Sequence, residues 1–220
     1  QTATKLYVNL AEPELAAQIA AKNVDGIGLL RAEFILAQIG THPKKFIEEK
    51  RQDHFIKELA KNLTIFTKSF GTRPVIYRAT DLKSNEYRDL KGGDQYEPKE
   101  PNPMLGYRGA YRYIKDPDVF KLELEAIRIV RQKHSNLHLM VPFIRSVQEL
   151  ESVKNLVTQA GLFKDHKFKF WMMAEIPVNV IMLEDFIEVG IDGVSIGSND
   201  LTMLILGTDR DNEVVASEFN

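Results

Sequence analysis

Cysteine is absent from the 220 residues. That absence removes disulfide cross-links, thiolate metal sites and a cysteine nucleophile from this chain. No run of about 18 apolar residues occurs, so no membrane-spanning helix is expected. The first residues, QTATKLYVNLAEPE, carry neither a positively charged segment nor an apolar one, and no secretory signal is expected there. These features fit a cytoplasmic protein. A surplus of either charge is also missing: 29 basic and 31 acidic residues leave a net charge of −2. That balance points neither to nucleic acid nor to an anionic membrane. There is no internal repeat and no low-complexity tract. No G-x-G-x-x-G follows the first apolar run, which weakens a dinucleotide-binding reading. His42, His54, His134, His138 and His166 are scattered without ligand spacing and are read as structural or solvated, and Trp171 as core.

What remains is an apolar fraction of 44%, suited to a globular chain. Residues 1–220 are read as one domain. Six short apolar runs alternate with segments of helical spacing. The runs are 5–9, 26–31, 74–79, 137–143, 168–177 and 193–201. Helical spacing covers 12–22, 43–70, 105–114, 117–134, 146–160 and 178–190, and residues 33–39 begin a further turn or helix. Such alternation predicts a parallel sheet. The runs are continuously apolar rather than alternating, as expected when both faces of a sheet are covered. A β/α barrel and a doubly wound sheet both remain open on this pattern. Residues 81–104 are polar and rich in glycine, proline and charge. They are too long for an ordinary connector, and Gly92-Gly93 within them is either a flexible turn or part of a lid.

The runs end in charge. Arg31 and Glu33 follow the second run, Arg78, Thr80 and Asp81 the third, and Arg145 the fourth. Glu175 follows the fifth, and Asn199 with Asp200 the sixth. The stretch 172–210 organises the rest, because its strand-helix-strand pattern brings Glu175 and Asp200 to neighbouring parallel strand ends. Neighbouring strands lie roughly 4.8 Å apart, so two carboxylates there suit one hard cation. The C-terminal ends of parallel strands are where such sheets bind ligands. Arginine presents a planar fork matched to phosphate or carboxylate. Several arginines converging on two carboxylates therefore suggest a small polyanion held with a divalent cation. For any one residue a plainer role exists: Asp200 as a helix cap, an arginine as a surface ion pair. The clustering at successive strand ends favours a site.

Six segments then resemble, in order, the C-terminal domain of the phosphoenolpyruvate-utilising enzymes. They are VDGIGLLRAEFIL (24–36), PVIYRATDLKSNEYRDLKGG (74–93), NPMLGYRGAYRY (102–113), LMVPF (139–143), MMAEIPVNV (172–180) and SIGSNDLTMLILGTDRDN (195–212). The resemblance implies a (β/α)8 TIM-type barrel, here incomplete with about six of its eight strands. It implies binding of phosphoenolpyruvate or pyruvate with Mg2+. Glu175 and Asp200 would be the metal ligands. Arg31, Arg78 and Arg210 would hold phosphoryl and carboxylate oxygens, joined by Arg108. Asn199 would donate to the substrate, with Asp200 beside it. The form ATDLKSNEYRDLKGG points to the branch of the family in which ATP charges a histidine on a separate domain of the same chain, leaving AMP and phosphate, and that domain passes the phosphoryl group to pyruvate. Other members of the family, a Mg2+-dependent aldolase or lyase on the same barrel, and a non-catalytic binding module are the competing readings. The family's last two strands, with a Gly-Ile-Cys-Gly-like segment whose cysteine moves a proton at the substrate carbon, are expected beyond Asn220. The chain is therefore expected to be an inactive fragment on its own. The first and sixth strands would be open edges, from which self-association is expected.

Overall fold

In a computed structural model of the chain, which describes residues 3–209 and 212–219, six strands form one sheet in the order of the sequence. They are β1 (Tyr7–Leu10), β2 (Gly26–Arg31), β3 (Val75–Arg78), β4 (Leu137–Val141), β5 (Phe170–Ala174) and β6 (Gly193–Ile196). Every neighbouring pair is parallel. The sheet curls into a partial barrel with helices around it, an incomplete TIM-type α/β fold. The helices are α1 (Ala16–Ala20), α2 (Ala32–Ile39), α3 (Pro43–Glu48), α4 (Gln52–Phe70), α5 (Ser84–Arg88), α6 (Gly109–Lys115), α7 (Pro117–Arg131), α8 (Val147–Gln159), α9 (Pro177–Ile181), α10 (Leu183–Glu188) and α11 (Ser198–Leu206).

Side chains alternate across the strands, except at an irregularity between Ile27 and Leu30 of β2, and the two faces bury different sets. Ile27, Leu30, Val75, Tyr77, Leu137, Leu139, Val141, Phe170 and Met172 face the helices and join the main core. The intervening Leu29, Ile76, Met140 and Met173 form a smaller cluster on the concave face, with Trp171 packed against it. Burial on both faces explains the continuous apolar runs. The two longest helices seal the outside. α4 contributes Phe55, Leu59, Leu63, Phe66 and Phe70, and α7 contributes Phe120, Leu124, Ile127 and Val130. These recur every three or four residues, so each helix buries one stripe. Each fully buried Leu or Phe contributes about 1.5–3 kcal/mol relative to exposure.

Three expected elements differ in detail. The helical region 43–70 is two helices, because Lys50 takes a left-handed backbone (φ 56°) just after α3. There the Arg51 N–H reaches back to the Phe46 carbonyl at 2.7 Å and closes α3. The segment 178–190 likewise breaks at Met182 into α9 and α10. The helix expected over 105–114 begins only at Gly109. No helix among the described residues is long and apolar enough to cross a membrane.

Candidate functional site

A cavity of about 470 Å3 opens at the C-terminal ends of the strands. The alternation that builds the concave cluster also builds the cavity. Two residues beyond Leu29, Ile76 and Met173, on the same face, stand Arg31, Arg78 and Glu175. The inward row thus changes from apolar to charged at the last layer, and all three of those residues line the cavity. Arg108, Asn199 and Asp200 line it too. The structure therefore brings together Arg31, Arg78, Arg108, Glu175, Asn199 and Asp200. Arg210 lies outside the described residues. Arg145 does not line the cavity. Its guanidinium is spent on backbone carbonyls, donating to Gly106 O at 2.6 Å and Arg108 O at 3.3 Å. Asn199 and Asp200 are not at the end of a strand but in the first turn of α11, directly after β6.

The charges are interlocked. Arg78 Nη2 lies 3.0 Å from Glu33 Oε1, and that oxygen also accepts from the Asp81 N–H at 2.8 Å. Arg108 grips Asp81 with two nitrogens, Nε at 3.0 Å and Nη2 at 2.5 Å, and Nη2 reaches Asp200 Oδ2 at 3.3 Å. Burial alone would weaken the guanidinium charges. The carboxylates around them outweigh that and raise the pKa values of Arg78 and Arg108 above their ordinary range. Burial pushes the Glu175 carboxyl up to about 7, helped by the Asp81 and Asp200 carboxylates and opposed by Arg78 and the Phe143 N–H. Glu33 Oε2 and Arg78 Nε are buried without a hydrogen-bond partner. Buried polar atoms are normally paired, so these two are available to a ligand or to water. Arg31 is exposed, and its side chain makes no hydrogen bond or ion pair to any described residue, while its backbone pairs with Arg78 in the sheet.

A second layer fixes these groups. Phe143 N–H donates to Glu175 Oε1 at 2.7 Å. Asn179, fully buried, accepts from the Glu175 and Ile176 N–H groups and donates to Ile144 O at 2.8 Å. Glu123, buried on α7, accepts from Tyr77 OH at 2.7 Å and from Thr80 N–H at 3.1 Å. Tyr113 OH donates to Thr80 O at 2.6 Å. The backbone that carries Asp81 into the cavity is thereby held from both sides. Sequence reasoning noted Glu33 and Asp81 as strand-end charges without giving them a role, and it missed Phe143, Asn179 and Glu123. For Glu123 a signal existed: it stands three residues after Phe120 and four before Ile127, on the apolar stripe of its helix.

Comparison with known proteins decides the family. The sequence profile described as PEP-utilising enzyme, PEP-binding domain matches residues 1–220. The chain belongs to the PEP-utilising enzymes. Among its relatives, a "Probable phosphoenolpyruvate synthase" of Staphylothermus marinus is 45% identical over 220 residues, 98% of this chain and 26% of that protein. The phosphoenolpyruvate synthase of Aeropyrum pernix is 43% identical, over 98% of this chain and 27% of its own length. That of Helicobacter pylori is 39% identical over 246 residues, 100% of this chain and 30% of its own. The chain thus spans between a quarter and a third of the length of these curated relatives. For a member of this family, the cavity just described is the site to interpret.

Proposed function

We propose that the cavity binds phosphoenolpyruvate and pyruvate with Mg2+, and that in a longer protein it serves phosphoenolpyruvate synthase activity. A phosphohistidine domain of the same chain, charged by ATP with release of AMP and phosphate, would deliver the phosphoryl group here. The observation that carries this reading is the gathering of Arg31, Arg78 and Arg108 around Glu175 and Asp200 in one cavity of a chain that matches a PEP-binding domain throughout.

The donor set fits a hard cation. Glu175 and Asp200 offer only oxygen, and Mg2+ usually takes one or two protein carboxylates plus substrate oxygens and water. Gly197 keeps the approach open: a Cβ there would stand 2.6 Å from Glu175 Oε2. Glu175 and Asp200 would hold the ion, which when bound neutralises charge on the substrate's carboxylate and enolate oxygens.

The chain's own residues do the rest. Arg31, uncommitted and facing the cavity, takes a carboxylate or phosphoryl edge in a bidentate pair. Arg78 offers its unpaired Nε. Arg108, locked on Asp81, contributes a fixed positive charge rather than a mobile donor. Asn199 donates from the first turn of α11. With the substrate so held, the enolate oxygen of pyruvate attacks phosphorus, the bond from phosphorus to the histidine nitrogen breaks, and the imidazole leaves. Forming that enolate releases a methyl proton, which would pass to the cysteine that the family resemblance implies for the longer protein.

Calorimetry of the full-length protein tests this. Phosphoenolpyruvate should bind only with Mg2+ present, and Glu175→Gln or Asp200→Asn should each weaken it by about tenfold or more, a loss of roughly 1.4 kcal/mol. Binding that ignores both substitutions and the cation would sink the reading.

A further inference from the structure

Phe143 takes a backbone conformation that bulky residues avoid. Its φ is 49°, and besides Lys50 no other described non-glycine residue has a positive φ. Lys50 is a solvent-facing helix terminus, but Phe143 is buried against the site. A left-handed phenylalanine is a genuine outlier, and such strain persists only where the surroundings enforce it. The surroundings do so here. The Glu175 carboxylate holds the Phe143 N–H at 2.7 Å. The Phe143 carbonyl accepts from the Ala110 N–H at 3.4 Å. Gly109, itself at φ 61°, lies so close that a Cβ on it would sit 2.5 Å from the Phe143 Cβ. That approach ties the segment carrying Arg108 directly to the end of β4.

The side chain works on the other half of the site. The Arg108 guanidinium carbon stands 4.0 Å from the Phe143 ring centroid, and Arg145 lies at 4.8 Å from the same ring. A cation over an aromatic ring is attracted by the ring's negative face, more strongly when desolvated, and Arg108 is buried. One residue therefore touches both parts of the site, Glu175 through its N–H and Arg108 through its ring. A plain packing role would need neither the unusual φ nor the guanidinium over the ring.

We propose that Phe143 is a positioning residue: its left-handed backbone aims the Glu175 carboxylate into the cavity, and its ring fixes the Arg108 guanidinium. The proposal rests on the reading of the cavity as a phosphoenolpyruvate and pyruvate site, and it adds a determinant of substrate affinity that touches no substrate.

The test compares Phe143→Leu and Phe143→Tyr in the full-length enzyme. Leucine keeps the N–H and most of the volume but has no ring face, whereas tyrosine keeps the face. The Leu variant should raise the pyruvate KM by about tenfold, as expected for loss of a desolvated cation–ring contact, with kcat changed less. The Tyr variant should recover most of that loss. Thermal unfolding of both variants separates packing from positioning: KM should follow the ring and not the melting temperature. Should the Leu variant not fold, Phe143→Met takes its place. A KM within about twofold of the parent in the ring-less variant, or one that tracks melting temperature alone, overturns the proposal. If the unsubstituted enzyme itself shows no Mg2+-dependent phosphoenolpyruvate binding, it is the reading of the cavity that fails, and with it the basis for this one.

Discussion

Glu123 shows how one buried carboxyl supports a site it never reaches. It sits in the core beneath β3, and burial pushes it up to about 7 from an ordinary 4.5. Hydrogen bonds from Tyr77 OH and Thr80 N–H hold it lower than burial alone would. A raised carboxyl pKa means that the folded state binds the proton more tightly than the unfolded chain. Its contribution to stability is therefore complete below about 4.5 and is lost as pH rises to about 7. The loss is on the order of a few kcal/mol. Glu123→Gln removes the titration while keeping an acceptor for both donors. Urea unfolding at pH 5 and pH 8 should then show the parent losing stability between the two values and the variant losing less, the remaining loss coming from Glu175, whose carboxyl burial also raises to about 7. Equal pH dependence in both would refute this account of Glu123.

At the scale of elements, the long connector 81–104 is anchored rather than loose. Beyond α5 it turns through Gly93–Gln95 and then sends Glu97 into a buried cluster. Arg112 of α6 donates to both Glu97 oxygens, at 2.6 and 2.7 Å. His42 Nε2 reaches the same carboxylate at 3.0 Å, while its Nδ1 accepts from the Lys44 N–H. With Nδ1 accepting, Nε2 is the nitrogen left to donate to Glu97. Burial would raise the Glu97 pKa, but these hydrogen bonds outweigh it and hold the carboxyl below its usual value. Tyr87 and Tyr96 pack on the His42 ring, and Tyr87 and Tyr107 on Arg112. Glu97→Gln leaves Arg112 buried with a mismatched partner, a change that typically costs about 3–5 kcal/mol. Hydrogen exchange should speed up across 89–104 while β3 and β4 keep their protection. Unchanged exchange in the connector would show that Glu97 does not pin it. None of this was legible in the sequence, because the partners lie 55 and 15 residues from Glu97 and only tertiary packing brings them together. The inner strands β2 to β5 were legible, since both faces are largely buried and their runs are apolar. The strand-end charges were legible for the same reason, standing out as polar residues that abruptly end an apolar run. Helix breaks at Lys50 and Met182 were not, because helical spacing continues across both.

At the scale of the whole sheet, β1 and β6 are the edge strands among the described residues. Near β6 the surface is apolar: Ile181 and Ile196 are 81% and 72% exposed, with Val180, Ile205 and Val214 also uncovered. Unpaired edges beside apolar side chains invite association. We expect the isolated 220-residue chain to self-associate in sedimentation experiments, and Ile181→Glu with Ile196→Lys to reduce it. A monomer at all concentrations would contradict this. The layering of the concave face has a further consequence, one of parity. Arg31, Arg78 and Glu175 reach the cavity because each lies an even number of residues beyond an inward-facing apolar side chain. A strand that slips or loses one residue turns its charge outward among the helices and an apolar residue inward. A shift of two keeps the charge facing the cavity but sinks it one layer towards Trp171. Length changes in the connectors leave the charged rim intact. Within a strand, an odd change and an even change damage it in different ways.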